Sequence, residues 1–115
     1  MSRRSAGVMV PLFSTPSERS WGIGEIPDLA HVARWCQSAG CDLIQLLPVT
    51  EMPFGETSPY SSLSAMAIDP QFIAVADVPD FVSLGGESAL TADEKVRLES
   101  VRCAKTIDYE NVRRL

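Results

Sequence analysis

Two short runs of almost uninterrupted apolar residues constrain the fold of this chain more than any other feature. The first is GVMVPLF at residues 7–13, and the second is DLIQLLPV at residues 42–49. Both have the length of a strand, and neither alternates between apolar and polar residues, which is typical of parallel strands covered on both faces. Pro11 lies towards the end of the first run, where a missing ladder donor is tolerated. We therefore predict two buried strands, at 7–13 and 42–49.

The segment between these runs has the pattern of a helix at residues 27–39. Apolar residues from Leu29 to Cys36 recur at helical spacing. Pro27 suits the first helical position, and Gly40 suits the left-handed position that follows a last turn. Strand, helix and strand in this order form a βαβ unit, which predicts an α/β fold with parallel strands.

The loop at 50–70 follows the second predicted strand. In parallel α/β sheets, ligands meet the loops at the carboxyl ends of the strands. Pro59 biases Ser58 towards an extended conformation, so that Tyr60 is presented on a stiff backbone. A rigid loop that carries one aromatic ring and several short hydroxyl side chains is suited to binding a sugar. The alternative is an ordinary turn-rich loop in which Tyr60 fills the edge of the core.

The carboxyl groups nearest to this tyrosine in sequence are Glu51, Glu56 and Asp69. Cleavage of a glycosidic bond with retention needs two carboxyl groups about 5–5.5 Å apart. Nothing in the spacing of these residues forces them to converge, and an aspartate before a proline is typical of a turn. We therefore predict no catalytic residue among them.

Length and charge narrow the possible partners of the chain. A chain of 115 residues has room for one domain. Ten basic against fifteen acidic residues give a formal net charge of −5, which argues against nucleic acid or an anionic membrane as the main partner. No apolar run reaches the roughly eighteen residues of a membrane span.

Cysteine and histidine usage points away from a metal centre. Three cysteines without C-x-x-C spacing and a single histidine supply few zinc ligands. We predict no metal, no cofactor, and reduced thiols in the cytoplasm.

The remaining segment, 71–115, is predicted to be peripheral. Thr91 and Glu94 form a capping box before a helix that runs to about Cys103. The apolar stripe of this helix is thin, which predicts packing at the edge of the protein. Trp21, in the loop after the first strand, could cap the core or offer its ring to a ligand, and we predict the capping role.

Several motifs together resemble the start of the 4-α-glucanotransferases, also called amylomaltases or disproportionating enzymes. That family typically opens with a PLFSLPS strand and a YGIGD-type turn, to which PLFSTPS and WGIGE are similar. A QxLPL strand, an SPYQSFSAFAGNP-like loop and a (V/I)DY segment follow, and here the chain reads QLLPV, SPYSSLSAMAIDP and IDY. The resemblance covers nearly the whole chain in the right order and spacing.

The resemblance implies a (β/α)₈-barrel enzyme that transfers an α-1,4-glucan segment to glucose or a maltooligosaccharide, with retention of configuration. Its three catalytic carboxylates would lie on later barrel strands without counterparts here. Residues 1–115 would then be an amino-terminal fragment, the opening βαβ portion of an incomplete barrel that is inactive alone. By the same resemblance, Tyr60 matches a wall of the donor-sugar subsite beside the cleaved bond, and Ser58 matches a residue that places it.

The chain departs from the family pattern at several positions. Trp21 replaces a tyrosine, Ser61 a glutamine and Met66 a phenylalanine, and Ile68-Asp69 stands where Gly-Asn is usual. Two other functions stay open from the sequence. One is a fragment of an α-amylase-type glycoside hydrolase, and the other is a non-catalytic α/β module that binds a sugar or a protein partner.

Overall fold

The computed structural model describes residues 4–115 as a mixed α/β chain with a two-stranded sheet. The strands are β1 (Gly7–Val10) and β2 (Leu43–Leu46), and the α-helices are α1 (Leu29–Ser38), α2 (Pro79–Ser83), α3 (Ala92–Arg102) and α4 (Tyr109–Arg113). Short 3₁₀ helices lie at Leu12–Ser14, Ile26–Asp28, Pro70–Phe72, Val75–Asp77 and Gly86–Ala89.

β1 and β2 pair in parallel, and α1 connects them, which confirms the predicted α/β class and the βαβ order. The register places Gly7 opposite Leu43 and Val10 opposite Leu46. Glycine fits at position 7 because a Cβ atom there would stand 2.5 Å from the Leu43 carbonyl oxygen. The close approach of the two backbones therefore begins at the first residue of β1.

Both strands are shorter than the predicted ranges 7–13 and 42–49. β1 ends before Pro11, which has no N–H to donate, and the chain then winds into a 3₁₀ helix. At the end of β2, the Leu47 N–H still donates to the last carbonyl of β1 at 3.2 Å. Pro48 follows and supplies no further donor. Both strands thus end within two residues of a proline.

The α-helix is likewise shorter than the predicted range 27–39. Its first turn is a 3₁₀ helix with Pro27 near its start. Gly40 adopts a φ of +75°, and its N–H donates to the Gln37 carbonyl at 3.1 Å. The next N–H donates to the Cys36 carbonyl at 2.8 Å, which completes a Schellman motif. The predicted stop signal at Gly40 is therefore confirmed.

The prediction that both strands are buried on both faces is wrong. Exposed and half-buried residues alternate along each strand. Met9, Leu43 and, on α1, Trp35 are exposed large hydrophobic side chains. A sheet of two strands has no inner strand, so each strand keeps a free edge and an incompletely covered face.

The hydrophobic core lies instead between the loop after β1 and the last third of the chain. It consists of the buried side chains Leu12, Trp21, Ile23, Phe72, Leu98, Val101 and Val112. Trp21 packs edge-to-face against Phe81 with 5.5 Å between ring centroids. The predicted role of Trp21 in capping the core is confirmed.

α3 contributes to this core, so its predicted peripheral position is wrong. Leu98 and Val101 are buried, whereas Val96 is exposed. Residues three apart share one side of a helix, and two apolar residues are enough to anchor this one. The capping box at its start is confirmed, because the Thr91 N–H donates to Glu94 Oε2 at 2.8 Å and the Glu94 N–H donates to Thr91 Oγ1 at 3.3 Å.

Residues 70–83 form a series of short helical turns. The 3₁₀ helices Pro70–Phe72 and Val75–Asp77 are followed by α2. Pro79 stands at the start of α2, where its missing N–H has no helical partner to lose. The segment therefore changes direction by short turns.

Candidate functional site

The loop at 50–70 leaves the end of β2 and is closed at its base. Thr50 and Ile68 form an isolated antiparallel bridge. The Glu51 N–H donates to the Ala67 carbonyl at 3.0 Å. The loop thus lies at the carboxyl end of a parallel strand, the place where ligand-binding loops of α/β sheets are found.

Tyr60 lies on the outside of this loop with 72% of its surface exposed. Its N–H donates to Ser58 Oγ at 3.4 Å, and the Ser61 N–H donates to the Ser58 carbonyl at 3.0 Å, so the backbone turns around Pro59. An exposed ring does not fill the edge of a core, which rules out the alternative assignment of Tyr60. The ring face is open to a ligand.

The three carboxyl groups of the loop have different surroundings. Glu56 is exposed, Glu51 is half-buried, and Asp69 is buried. Asp69 caps the 3₁₀ helix that follows it, because its Oδ1 accepts a hydrogen bond from the Gln71 N–H at 3.1 Å. The predicted turn role of Asp69 is confirmed.

A partly buried ion pair joins the base of the loop to α4. Arg113 Nη2 donates to Asp69 Oδ2 and to the Met52 carbonyl, both at 3.1 Å. The Met52 N–H donates to the same Asp69 oxygen at 3.1 Å. Sequence reasoning missed this pair because its members are 44 positions apart. One feature of the sequence could have indicated the pair: Asp69 stands where the family pattern described above has an asparagine.

A groove of about 440 Å³ separates the start of the loop from α4. Residues 54–57 form one wall, and Ile107, Asp108 and Tyr109 are on the other. Asp108 starts α4, because its Oδ1 accepts from the Asn111 N–H at 3.1 Å. The structure therefore brings the start of the loop and the IDY motif to one groove, whereas the SPY motif, with Tyr60, lies outside its lining.

A larger groove, of about 560 Å³, lies between the loop after β1 and the segment that follows α3. Phe13 and Tyr109 meet there edge-to-face with 6.2 Å between centroids. Arg102 lines it, but its guanidinium is held by Glu87 and by the Ser20 carbonyl. The hydrogen bonds from Arg102 hold the pKa of Glu87 below its ordinary value. This groove contains neither Tyr60 nor Ser58.

A second cluster of buried polar groups, absent from the sequence predictions, lies in the turn before α1. Asp28 Oδ2 accepts from Ser20 Oγ at 2.7 Å and from the Glu25 N–H at 2.8 Å. Glu25 Oε1 accepts from the Trp21 N–H at 2.8 Å. Burial, with the neighbouring charge of Asp28, raises the pKa of Glu25 to about 7, against the lowering effect of the Trp21 hydrogen bond. The three-residue spacing of Glu25 and Asp28 could have indicated this reciprocal capping.

Within residues 4–115, no group of three or more His, Cys, Asp or Glu side chains could hold a metal ion. In the same part of the chain, no helix combines the length and the apolar character needed to cross a bilayer.

These features define an α/β chain with an exposed loop at the end of a parallel strand, and comparison with known proteins identifies its family. A family model described as 4-alpha-glucanotransferase matches residues 10–115. The chain belongs to the 4-alpha-glucanotransferase family. This confirms the resemblance drawn from the sequence motifs.

Individual relatives agree with this assignment. A 4-alpha-glucanotransferase of Chlamydia pneumoniae is 44% identical over 75 residues, which cover 64% of this chain and 14% of that protein. One of Chlamydia trachomatis serovar D is 33% identical over 108 residues, covering 93% of this chain and 19% of that protein. The 4-alpha-glucanotransferase DPE2 of Oryza sativa is 34% identical over 111 residues, which cover 93% of this chain and 11% of that protein.

The chain therefore spans 11–19% of the length of these curated relatives. Their names do not favour the α-amylase-type hydrolase or the non-catalytic module over a fragment of a transferase.

Proposed function

We propose that this chain is the amino-terminal part of a 4-α-glucanotransferase, which moves an α-1,4-glucan segment from a donor to an acceptor sugar. The observation that carries the proposal is the family match over residues 10–115. The parallel β1–α1–β2 unit supports it, since such a unit suits the opening of a (β/α)₈ barrel. Residues 50–70 would be the sugar-binding loop, and residues 71–115 would pack on the core that they share with the loop after β1.

Within this proposal, Tyr60 and Ser58 form a wall of the donor-sugar site. The exposed Tyr60 ring offers an apolar face for sugar C–H groups and a hydroxyl tip for a hydrogen bond. Ser58 holds the turn that presents this ring, through its contacts with the backbone at positions 60 and 61. The substrate would be a maltooligosaccharide or a longer α-glucan.

We assign no catalytic carboxylate to this chain. A retaining mechanism needs two carboxyl groups about 5–5.5 Å apart that face the bond. Asp69 is buried and bound to Arg113, and Glu25 is buried in the turn before α1. Neither can approach a sugar on Tyr60 without leaving its partners. The chain alone is therefore expected to bind a glucan without cleaving it.

We propose a cytoplasmic location on the evidence of the thiols. Cys36, Cys41 and Cys103 are all free in the structure. A chain with an exposed free thiol is suited to a reducing compartment. The net charge of −5 gives no basis for nucleic acid or an anionic membrane as a partner.

The binding test compares Tyr60→Ala with Met66→Ala, because both side chains are exposed and both lie in the loop. Maltotriose is titrated into the chain while the backbone amide resonances of residues 50–70 are followed by NMR, because this readout is present in all three proteins. We expect wild type and the Met66 variant to bind equally and the Tyr60 variant to lose about tenfold or more in affinity, the scale of a lost stacking contact. Equal affinity in all three would reject Tyr60 as a sugar wall.

The transferase assignment is tested separately, on a protein that carries this chain together with the later barrel strands. Incubation with maltotriose should give glucose and oligosaccharides longer than the substrate. Glucose and maltose without longer products would instead indicate a hydrolase.

A further inference from the structure

We infer that Asp69 and Arg113 are positioning residues that hold the sugar-binding loop in place from α4. The inference rests on the proposed function only in naming sugar as the ligand of that loop. We call Met52, Asp69 and Arg113 the clasp, since one guanidinium nitrogen of Arg113 binds both ends of the loop at once.

The geometry of the clasp ties the two ends of the loop together. Arg113 Nη2 lies 3.1 Å from the Met52 carbonyl, near the first end, and 3.1 Å from Asp69 Oδ2, at the second. The Met52 N–H also donates to Asp69 at 3.1 Å. All three groups are shielded from water: the side-chain exposure is 4% for Asp69 and 18% for Arg113, and Met52 is buried.

Between these ends the loop has few supports of its own. The Leu63 N–H donates to the Glu51 carbonyl at 2.8 Å, which returns the chain to the first end. Phe54, Tyr60 and Met66 are exposed, so the intervening backbone has little apolar packing to fix it. A segment with little burial opens easily unless its ends are held. The clasp adds its restraint to that of the Thr50–Ile68 bridge at the same end of the loop.

Asp69 and Arg113 carry opposite charges, so a substitution of either one changes the charge balance of the clasp. Removing one partner of a shielded ion pair leaves the other charged and unpaired. This strongly destabilises the closed position of the loop relative to an open one. Asn at position 69 keeps one carbonyl oxygen, so its amide group must face either the Gln71 N–H or the donors of Met52 and Arg113. Either orientation leaves donors unpaired.

The residue after α4 offers a matched control. Arg114 pairs with Glu110 at 2.5 Å, but their side chains are 58% and 60% exposed. An exposed pair of this kind contributes little to stability. Arg114→Met therefore removes the neighbouring arginine without touching the loop, whereas Arg113→Met opens the clasp.

The experiment measures amide hydrogen exchange residue by residue in wild type, Arg113→Met, Asp69→Asn, Arg113→Lys and Arg114→Met. We expect the Glu51 and Leu63 amides to exchange about tenfold faster or more in the first two variants, with core amides such as those of Leu98 and Val101 unchanged. Lys keeps a donor and the charge, so it should restore part of the protection. Arg114→Met should match wild type.

Equal acceleration of loop and core amides would mean that the pair only stabilises the whole chain, and this would overturn the inference. Unchanged loop amides in Arg113→Met would overturn it too. A parallel maltotriose titration separates the two proposals. If wild type binds no sugar, the assignment of Tyr60 fails while the exchange data still decide the clasp. If wild type binds, Arg113→Met should bind at least about tenfold more weakly than Arg114→Met.

Discussion

Replacing Glu25 with glutamine is expected to remove a pH dependence of the chain's stability between pH 4.5 and about 7. Glu25 is 4% exposed and lies beside Asp28 in the turn before α1. Burial raises its pKa from 4.5 to about 7. The folded chain therefore holds a proton that the unfolded chain releases.

The sign and size of the effect follow from this difference. Below pH 4.5 the carboxyl group is protonated in both states, and its contribution to stability is complete. As the pH rises to about 7, the unfolded state loses the proton first, so unfolding becomes more favourable. Each pKa unit corresponds to about 1.4 kcal/mol, so the free energy of unfolding falls by up to about 3 kcal/mol. Glutamine keeps an oxygen for the Trp21 N–H and has no proton to lose.

Other shifted carboxyl groups act in a different pH range. Hydrogen bonds from Arg102 lower the pKa of Glu87, and those from Thr91 lower the pKa of Glu94. Stability from a lowered pKa is present above the unfolded value and is lost as the pH falls through the folded one. Their losses therefore lie below about pH 4.5, outside the range assigned to Glu25.

The assay is urea unfolding of dilute chain at half-unit steps from pH 4.5 to 7.5, with Glu18→Gln as an exposed control. Wild type and the Glu18 variant should lose stability with rising pH, and Glu25→Gln should stay flat. Carbon-13 NMR of the glutamate carboxyl groups gives the pKa of Glu25 directly. A flat wild-type profile, or a Glu25→Gln profile parallel to wild type, would refute the reasoning.

Two further pairs of substitutions test the packing. Phe72→Ala should lower the free energy of unfolding by about 3–5 kcal/mol, because this side chain is 1% exposed. Phe54→Ala should lower it by less than about 1 kcal/mol, because that side chain is 70% exposed. Urea unfolding of the two variants measures the difference. Gly24→Ala should abolish the cooperative thermal transition, since its Cβ would stand 1.9 Å from the Leu12 carbonyl oxygen. In Gly40→Ala the new Cβ has no neighbour within 4 Å, so this variant should lose only the roughly 1–2 kcal/mol that alanine costs in the left-handed conformation. Calorimetry measures both variants, and a larger loss of stability in Gly40→Ala than in Gly24→Ala would contradict the prediction.

The βαβ order could be predicted because its signals are local. Continuous apolar runs, Pro27 and Gly40 each act within a few residues. The burial of the strands could not be predicted in the same way. The runs are typical of strands covered on both faces, and two strands alone leave such faces in contact with water. The apolar pattern indicates that a strand is suited to coverage on both faces, but it does not show that covering elements are present.

In the candidate site, too, local features could be predicted from the sequence and long-range contacts could not. The turn around Pro59 and the cap at Asp69 depend on neighbours in sequence, and both were accessible to sequence reasoning. The contact between Asp69 and Arg113 joins two distant segments, so it depends on where α4 packs. The position of α4 depends in turn on the buried Val112, which local spacing does not reveal.

The composition of the hydrophobic core has a consequence for how the chain folds. Leu12 and Ile23 pack in one cluster with Leu98 and Val112, so the contacts join opposite ends of the chain. Contacts of such long separation form late, because the intervening loop must close first. During synthesis, the early residues wait on the order of ten seconds for their partners to emerge. The rate of translation therefore sets how long their apolar side chains stay open to aggregation.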